Sequence, residues 1–246
     1  TICVVGWVMV RSPDITPLEV RNGWSADAFQ NEETQQFVGS LPTFQIVGDD
    51  GQPISQDNRT ANIRLWDAVL AVNGQHLDNI PQQVGDCVSW GWELGAFMLA
   101  NMEGTPPALF ATEPIYGGSR VEARGGRLGG YSDGSYGAVA AKWVRAWGIL
   151  LRKDYSKETG NPEHDLTTYS KSKAKEWGNY GCGGKADERG GGNLDKVAKQ
   201  HPVKAVTLVK TADELIQIRK PVPVCSNVGY GQMVRNVDGI VRRKGS

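Results

Sequence analysis

The sequence predicts an α+β fold with helices early and strands late, and three observations lead to it. Strong helical spacing of apolar residues marks two stretches, residues 87–102 and 135–148. From residue 203 the pattern changes to short apolar runs, VKAVTLV and PVPVCS, separated by a helical stretch. The tail QMVRNVDGIVRRKG sets an Asp238-Gly239 pair inside an alternating pattern, which predicts a β-hairpin or paired strand.

Taken in order, residues 1–80 read as irregular, with the apolar runs TICVVGWVMV and FQIVG between polar stretches such as DDGQPISQDNRT. IRLWDAVLAV, Ile63 to Val72, has helical spacing. CVSWGWELGAFMLANM is apolar around most of its circumference, so a central buried helix is expected to start at Cys87, with Asp86 as its N-cap. YGGSRVEARGGRLGGYSDG reads as loop from its glycines. SYGAVAAKWVRAWG follows as a helix that starts at Asp133 or Ser135 and stops at Gly148. HDLTTYSKSKAKEW reads as a polar helix, GNYGCGGKADERGGGN as loop and NLDKVAKQ as a short helix. TADELIQI carries a capping box, Thr211 with Glu214.

Charge and cysteine content narrow the function classes. Lys plus Arg and Asp plus Glu each number 27 in the 246 residues, so no net field draws the chain to nucleic acid or an anionic membrane. No apolar run is long enough to span a bilayer, and TICVVGWVMV lacks the basic lead and cleavage pattern of a signal peptide. Cys3, Cys87, Cys182 and Cys225 form no disulfide framework and no Cys-x-x-Cys pair, and the three histidines stand far apart. No metal or organic cofactor is implied, and the compartment is not legible. GCGGKADERGGGN lacks Gly-Lys-Ser/Thr, which argues against a phosphate loop. Glu113 and Asp133 are carboxylates in separate loops, and nothing in the sequence places them together as a glycosidase pair.

Cys87 is the residue with chemical promise. A helix N-terminus offers partial positive charge and N–H groups that favour a thiolate. The same N–H groups can hold an oxyanion when a carbonyl is attacked. A structural cysteine in a buried helix is the alternative.

QQVGDCVSWGWELGAF resembles the active-site segment of the papain-like cysteine peptidases, in which a Gln precedes a Gly-x-Cys that opens the long central helix. ATEPIY stands where that family carries Ser-Glu-Gln. DGSYGAVAAKWVRAWGILLRKDY is similar to its Asn-Gly-Gly-Tyr loop, helix and Gly-Ile turn, with Asp133, Gly134, Ser135 and Tyr136 on Asn-Gly-Gly-Tyr and Tyr155 on the closing tyrosine. The resemblance covers residues 80–156, and from 203 more loosely. It implies a papain-like fold with a helical half around Cys87 and a β-rich half. Residues 81–246 would be the peptidase domain, residues 1–80 a propeptide-like or family-specific extension, and residues 157–202 an insertion. It further implies Cys87 as nucleophile, an oxyanion-hole Gln, a cleft lined by Asp133, Gly134 and Ser135, and a peptide or protein substrate.

The chain departs from that pattern. Pro81 occupies the position of the oxyanion Gln, leaving Gln82 and Gln83 as candidates, and Val88 stands where the family has Trp, with Trp90 and Trp92 read as core. No histidine follows the PV strand. His76 and His164 read as surface residues. His201, with Asn227 as orienter, precedes the family position of the base. The preferred expectation is a chain that stops short of its His and is inactive by itself. The rivals are a catalytically silent papain-like module in a larger assembly, such as a phage particle or cell-surface complex, and an unrelated binding protein with an inert Cys87.

Overall fold

The computed structural model describes residues 8–10, 32–40, 65–75, 82–104, 109–124, 133–187, 193–201, 203, 206–207, 209, 218, 220–226, 233–235 and 241–243. Eight helices order these residues: α1 Glu32–Ser40, α2 Leu65–Asn73, α3 Cys87–Met102, α4 Thr112–Arg120, α5 Gly137–Trp147, α6 Ser156–Thr159, α7 Lys171–Tyr180 and α8 Asn193–Ala198. Four strands of three residues each complete them. β1 Val8–Val10 pairs parallel with β2 Val224–Ser226, and β3 Met233–Arg235 pairs antiparallel with β4 Val241–Arg243.

This corrects the expected α+β, papain-like class: the described residues build a helical structure, and no β-rich half is present among them. The reason lies in what fills the core: it is built from side chains of α3, α4 and α5, and the described strands pair only in twos. The hairpin expected in the tail forms, as β3 and β4, without building a wider sheet. FQIVG, the TADEL capping box and the Asp238-Gly239 turn lie outside the described residues.

α3 is the central element, as its apolar circumference predicts. Trp92, Ala96, Phe97 and Leu99 are buried in one core with Ile115 of α4, Ala140, Trp143 and Val144 of α5, and Val69 of α2. The stretch read as an insertion feeds the same core through Leu166, Trp177 and Leu194. α5 ends at Gly148, whose φ of 97° is left-handed and whose N–H bonds Val144 O at 2.9 Å. The polar helix α7 starts at Lys171, later than the sequence pattern suggests. Asp165 Oδ1 accepts from Thr167 N in a local turn, and Ser170 caps the helix by accepting from Lys173 N.

The glycines read as loop partly serve a different end. Tyr116-Gly117-Gly118-Ser119-Arg120 is helical, and its glycines let neighbouring elements touch α4. A Cβ on Gly118 would lie 2.0 Å from Trp143 Nε1, and one on Gly117 would lie 2.8 Å from the Gly181 carbonyl. Composition favoured loop, and tertiary contact overrode it.

An ion pair holds these elements to one another. Glu113 and Arg152 meet at 3.0 Å with side chains 0% and 8% exposed. Arg152 also donates to Phe110 O, Leu166 O and Thr112 Oγ1, while Glu113 also accepts from Ser170 N. Backbone bonds continue the strap, from Ala111 N to Leu150 O, Ile149 N to His201 O and Leu166 N to Lys153 O.

Gly118→Ala should push a methyl into the buried Trp143 ring and cost about 3 kcal/mol, the upper end of ordinary overpacking. Urea denaturation of the variant against wild type reads this directly, and an unchanged midpoint would contradict the packing described.

Candidate functional site around Cys87

α3 begins at Cys87 without the expected side-chain cap. The Asp86 carbonyl accepts from Ser89 N at 2.9 Å and Trp90 N at 3.1 Å. Its carboxylate turns inward instead and accepts from Tyr169 Oη at 2.8 Å. Tyr169 also lies against Trp90, with ring centroids 5.2 Å apart. Burial pushes the fully buried Asp86 carboxyl up to about 6, against the opposing effect of that Tyr169 bond.

The Cys87 thiol is half-buried. Burial raises its pKa above the ordinary value, the backbone N–H groups of Val88 and Cys87 pull it down, and the charges of Asp86 and Asp133 push it up again. The upward influences win, so the expected helix-start activation is outweighed and the resting group is a neutral thiol.

Residues 133–136 form the neighbouring wall. Asp133 Oδ2 accepts from Gly85 N at 2.7 Å, and Oδ1 accepts from Gly134 N at 2.9 Å and from the Tyr116 hydroxyl. A Cβ on Gly85 would lie 2.7 Å from Gly134 N, so the two backbones are in contact. Gly134, at φ 102°, sends its carbonyl to Arg120, whose Nε donates to Gly178 O at 2.7 Å. Burial raises the Asp133 carboxyl, but the Tyr116, Gly85 and Gly134 bonds outweigh it and hold the group below the usual carboxylate range. Asp133 is exposed, whereas Ser135 is buried with its hydroxyl on Ser119 Oγ. Ser135 therefore faces α4 with its side chain.

Gln82 and Gln83 are both exposed on the approach to Cys87, and Gln82 Nε2 donates to Val84 O at 2.6 Å. His164 is no surface residue: it is fully buried, with Nδ1 at 2.8 Å from Thr159 Oγ1 and Nε2 at 3.2 Å from Asn161 Nδ2. Nε2 also lies 3.3 Å from Gly183 O, so the ring is enclosed by partners from both sides. Burial depresses the His164 pKa. His201 is half-buried, and its pKa is lowered first by burial and then by Lys153. The structure thus places neither described histidine beside Cys87. His76, Pro81 and Asn227 lie outside the described residues. Glu113 is absorbed by Arg152 and forms no pair with Asp133. Among the described residues no three His, Cys, Asp or Glu side chains gather as metal ligands, and no helix is long and apolar enough to cross a membrane.

Sequence reasoning missed Tyr116, Tyr169 and Glu93. Glu93 sits on the buried face of α3, and burial pushes its carboxyl up to about 7 despite the Phe110 N–H and Arg152. Its signal was a lone acid in a helix apolar almost all round. No protein-family profile, curated protein or solved structure matches this chain.

Two outcomes follow from these environments. Asp133→Asn removes a negative charge facing the thiol, so the midpoint of the pH–rate profile for Cys87 alkylation should fall. A midpoint that stays or rises would remove Asp133 from the account. Glu93 binds its proton more tightly folded than unfolded, so its contribution to stability declines as pH climbs from about 4.5 to about 7. Glu93→Gln should therefore gain stability relative to wild type across that window, as read by urea midpoints at pH 5 and pH 7.5.

Proposed function

We propose that Cys87 is the nucleophile of a cysteine-type peptidase site, held in a resting, unactivated state and inactive in this chain by itself. The observation that carries this reading is a half-buried thiol on the first residue of α3, beside the Gly85–Gly134 contact, where the N–H groups of Cys87 and Val88 favour its thiolate. Those N–H groups are suited to receive the oxyanion of a tetrahedral intermediate. In the reaction a base takes the Sγ proton, the thiolate attacks the scissile carbonyl, and the amine leaves with a proton. Water then hydrolyses the thioester. The substrate is a peptide or protein segment, which of the expected cleft residues can meet the exposed Asp133 but not the buried Gly134 and Ser135, and the described histidines do not provide the base.

Asp86 and Asp133 favour a second reading: a catalytically silent module serving as a binding or structural part of a larger assembly. Both charges oppose the thiolate that catalysis needs.

A p-nitrophenyl ester offered with and without added imidazole separates the two. Imidazole stands in for the base, so wild-type chain should release about one equivalent of p-nitrophenolate in a burst that Cys87→Ala lacks. Equal release from both proteins, with Cys87 alkylated only on unfolding, would overturn the nucleophile and leave the silent module.

A further inference from the structure

The remaining cluster of buried ionisable groups lies away from Cys87, where the turn after α4 meets the 181–187 loop and α8. Glu122 Oε1 accepts from Cys182 N at 2.7 Å, while its Oε2 is buried without a hydrogen-bond partner. Asp195 is 2% exposed, and neither of its carboxylate oxygens meets a nitrogen or oxygen donor. The Cys182 thiol, itself 2% exposed, faces Asp195 as a weak donor. Asp187 completes the group: its Oδ2 accepts from Leu194 N at 2.9 Å and lies 3.6 Å from His164 Nε2.

With three of their four carboxylate oxygens buried and lacking a nitrogen or oxygen donor, Glu122 and Asp195 cannot both keep their charge without a counter-charge. Lys199, one turn beyond Asp195, acts on it from a position over the Trp147 ring, with Nζ 5.6 Å from the centroid. His164 faces Asp187 and in turn feels Lys173 and Glu163. The described side chains do not gather as metal ligands. Protons remain as the neutralising species.

We propose that this junction is a proton-operated latch: Glu122 and Asp195 keep α8 and the 181–187 loop closed against the end of α4 while protonated, and loosen them on ionising. Burial raises the Glu122 carboxyl to about 7, with Asp195 the next influence, and raises Asp195 to about 6. An acid with a raised folded pKa binds more protons closed than open, so the closed state weakens as pH rises from the ordinary carboxylate value towards about 7. His164 has the opposite sign, because its depressed pKa favours closure as pH rises towards 6.5. The carboxyl contribution is therefore read by difference between variants.

Hydrogen exchange of the 181–187 and 193–198 amides in the full chain, corrected for intrinsic rates, tests the latch at pH 5 and pH 7 with chelator present. Wild type should lose protection at least about tenfold between the two. Glu122→Gln, which still accepts from Cys182 N, and Asp195→Asn should each flatten that loss while α3 amides stay protected. Equal pH dependence in wild type and both variants would overturn the proposal. So would protection at pH 7 restored by excess Zn²⁺ or Ca²⁺ without chelator, because a metal would then be the neutralising partner.

Discussion

The buried pair of Glu113 and Arg152 is the constraint from which the rest of the arrangement follows. A charge in an apolar interior is tolerated when its hydrogen-bonding capacity is met. Arg152 meets that condition through Glu113, Thr112 Oγ1, Phe110 O and Leu166 O. Four chain segments are thereby fixed to one guanidinium: the start of α4, the residues before it, the 149–152 strap and the approach to α7. Ser170 N on the same carboxylate sets where α7 begins. Glu93 on α3 also lies within the field of Arg152, so the central helix shares this electrostatic centre.

The surroundings of Cys87 are a consequence of that scaffold. α4 carries Tyr116, Ser119 and Arg120 on the side that receives residues 133–135, and each holds one of them. α7 follows Tyr169, which fixes the buried Asp86 carboxylate one residue before the thiol. The result is a well-supported helix start whose N–H groups favour a thiolate and whose carboxylates oppose it. Burial decides the balance in favour of the neutral thiol.

The helices were the legible part of the chain. α2, α3, α5 and α8 declare themselves through spacing and stop signals, because local periodicity is what a sequence displays directly. α4 was hidden: Gly117 and Gly118 look like loop until Trp143 and Gly181 are known to press on them. The β-rich half was an inference from apolar runs, and among the described residues the strands pair only in twos. At the site, the sequence singled out Cys87 and its helix start. It carried no sign that Asp86 turns inward or that Tyr116 clamps Asp133, contacts 83 and 17 residues apart along the chain, or that His164 is enclosed by Trp177 and Gly183.

The most direct test of this account is a double-mutant cycle on Glu113 and Arg152, using Glu113→Met, Arg152→Met and the pair, with urea unfolding as the readout. Each single variant strands a buried charge and should lose about 3–5 kcal/mol. The double variant should lose much less than the sum, because it strands none. Additive losses, or single variants within about 0.5 kcal/mol of wild type, would contradict the claim that this pair holds the structure together.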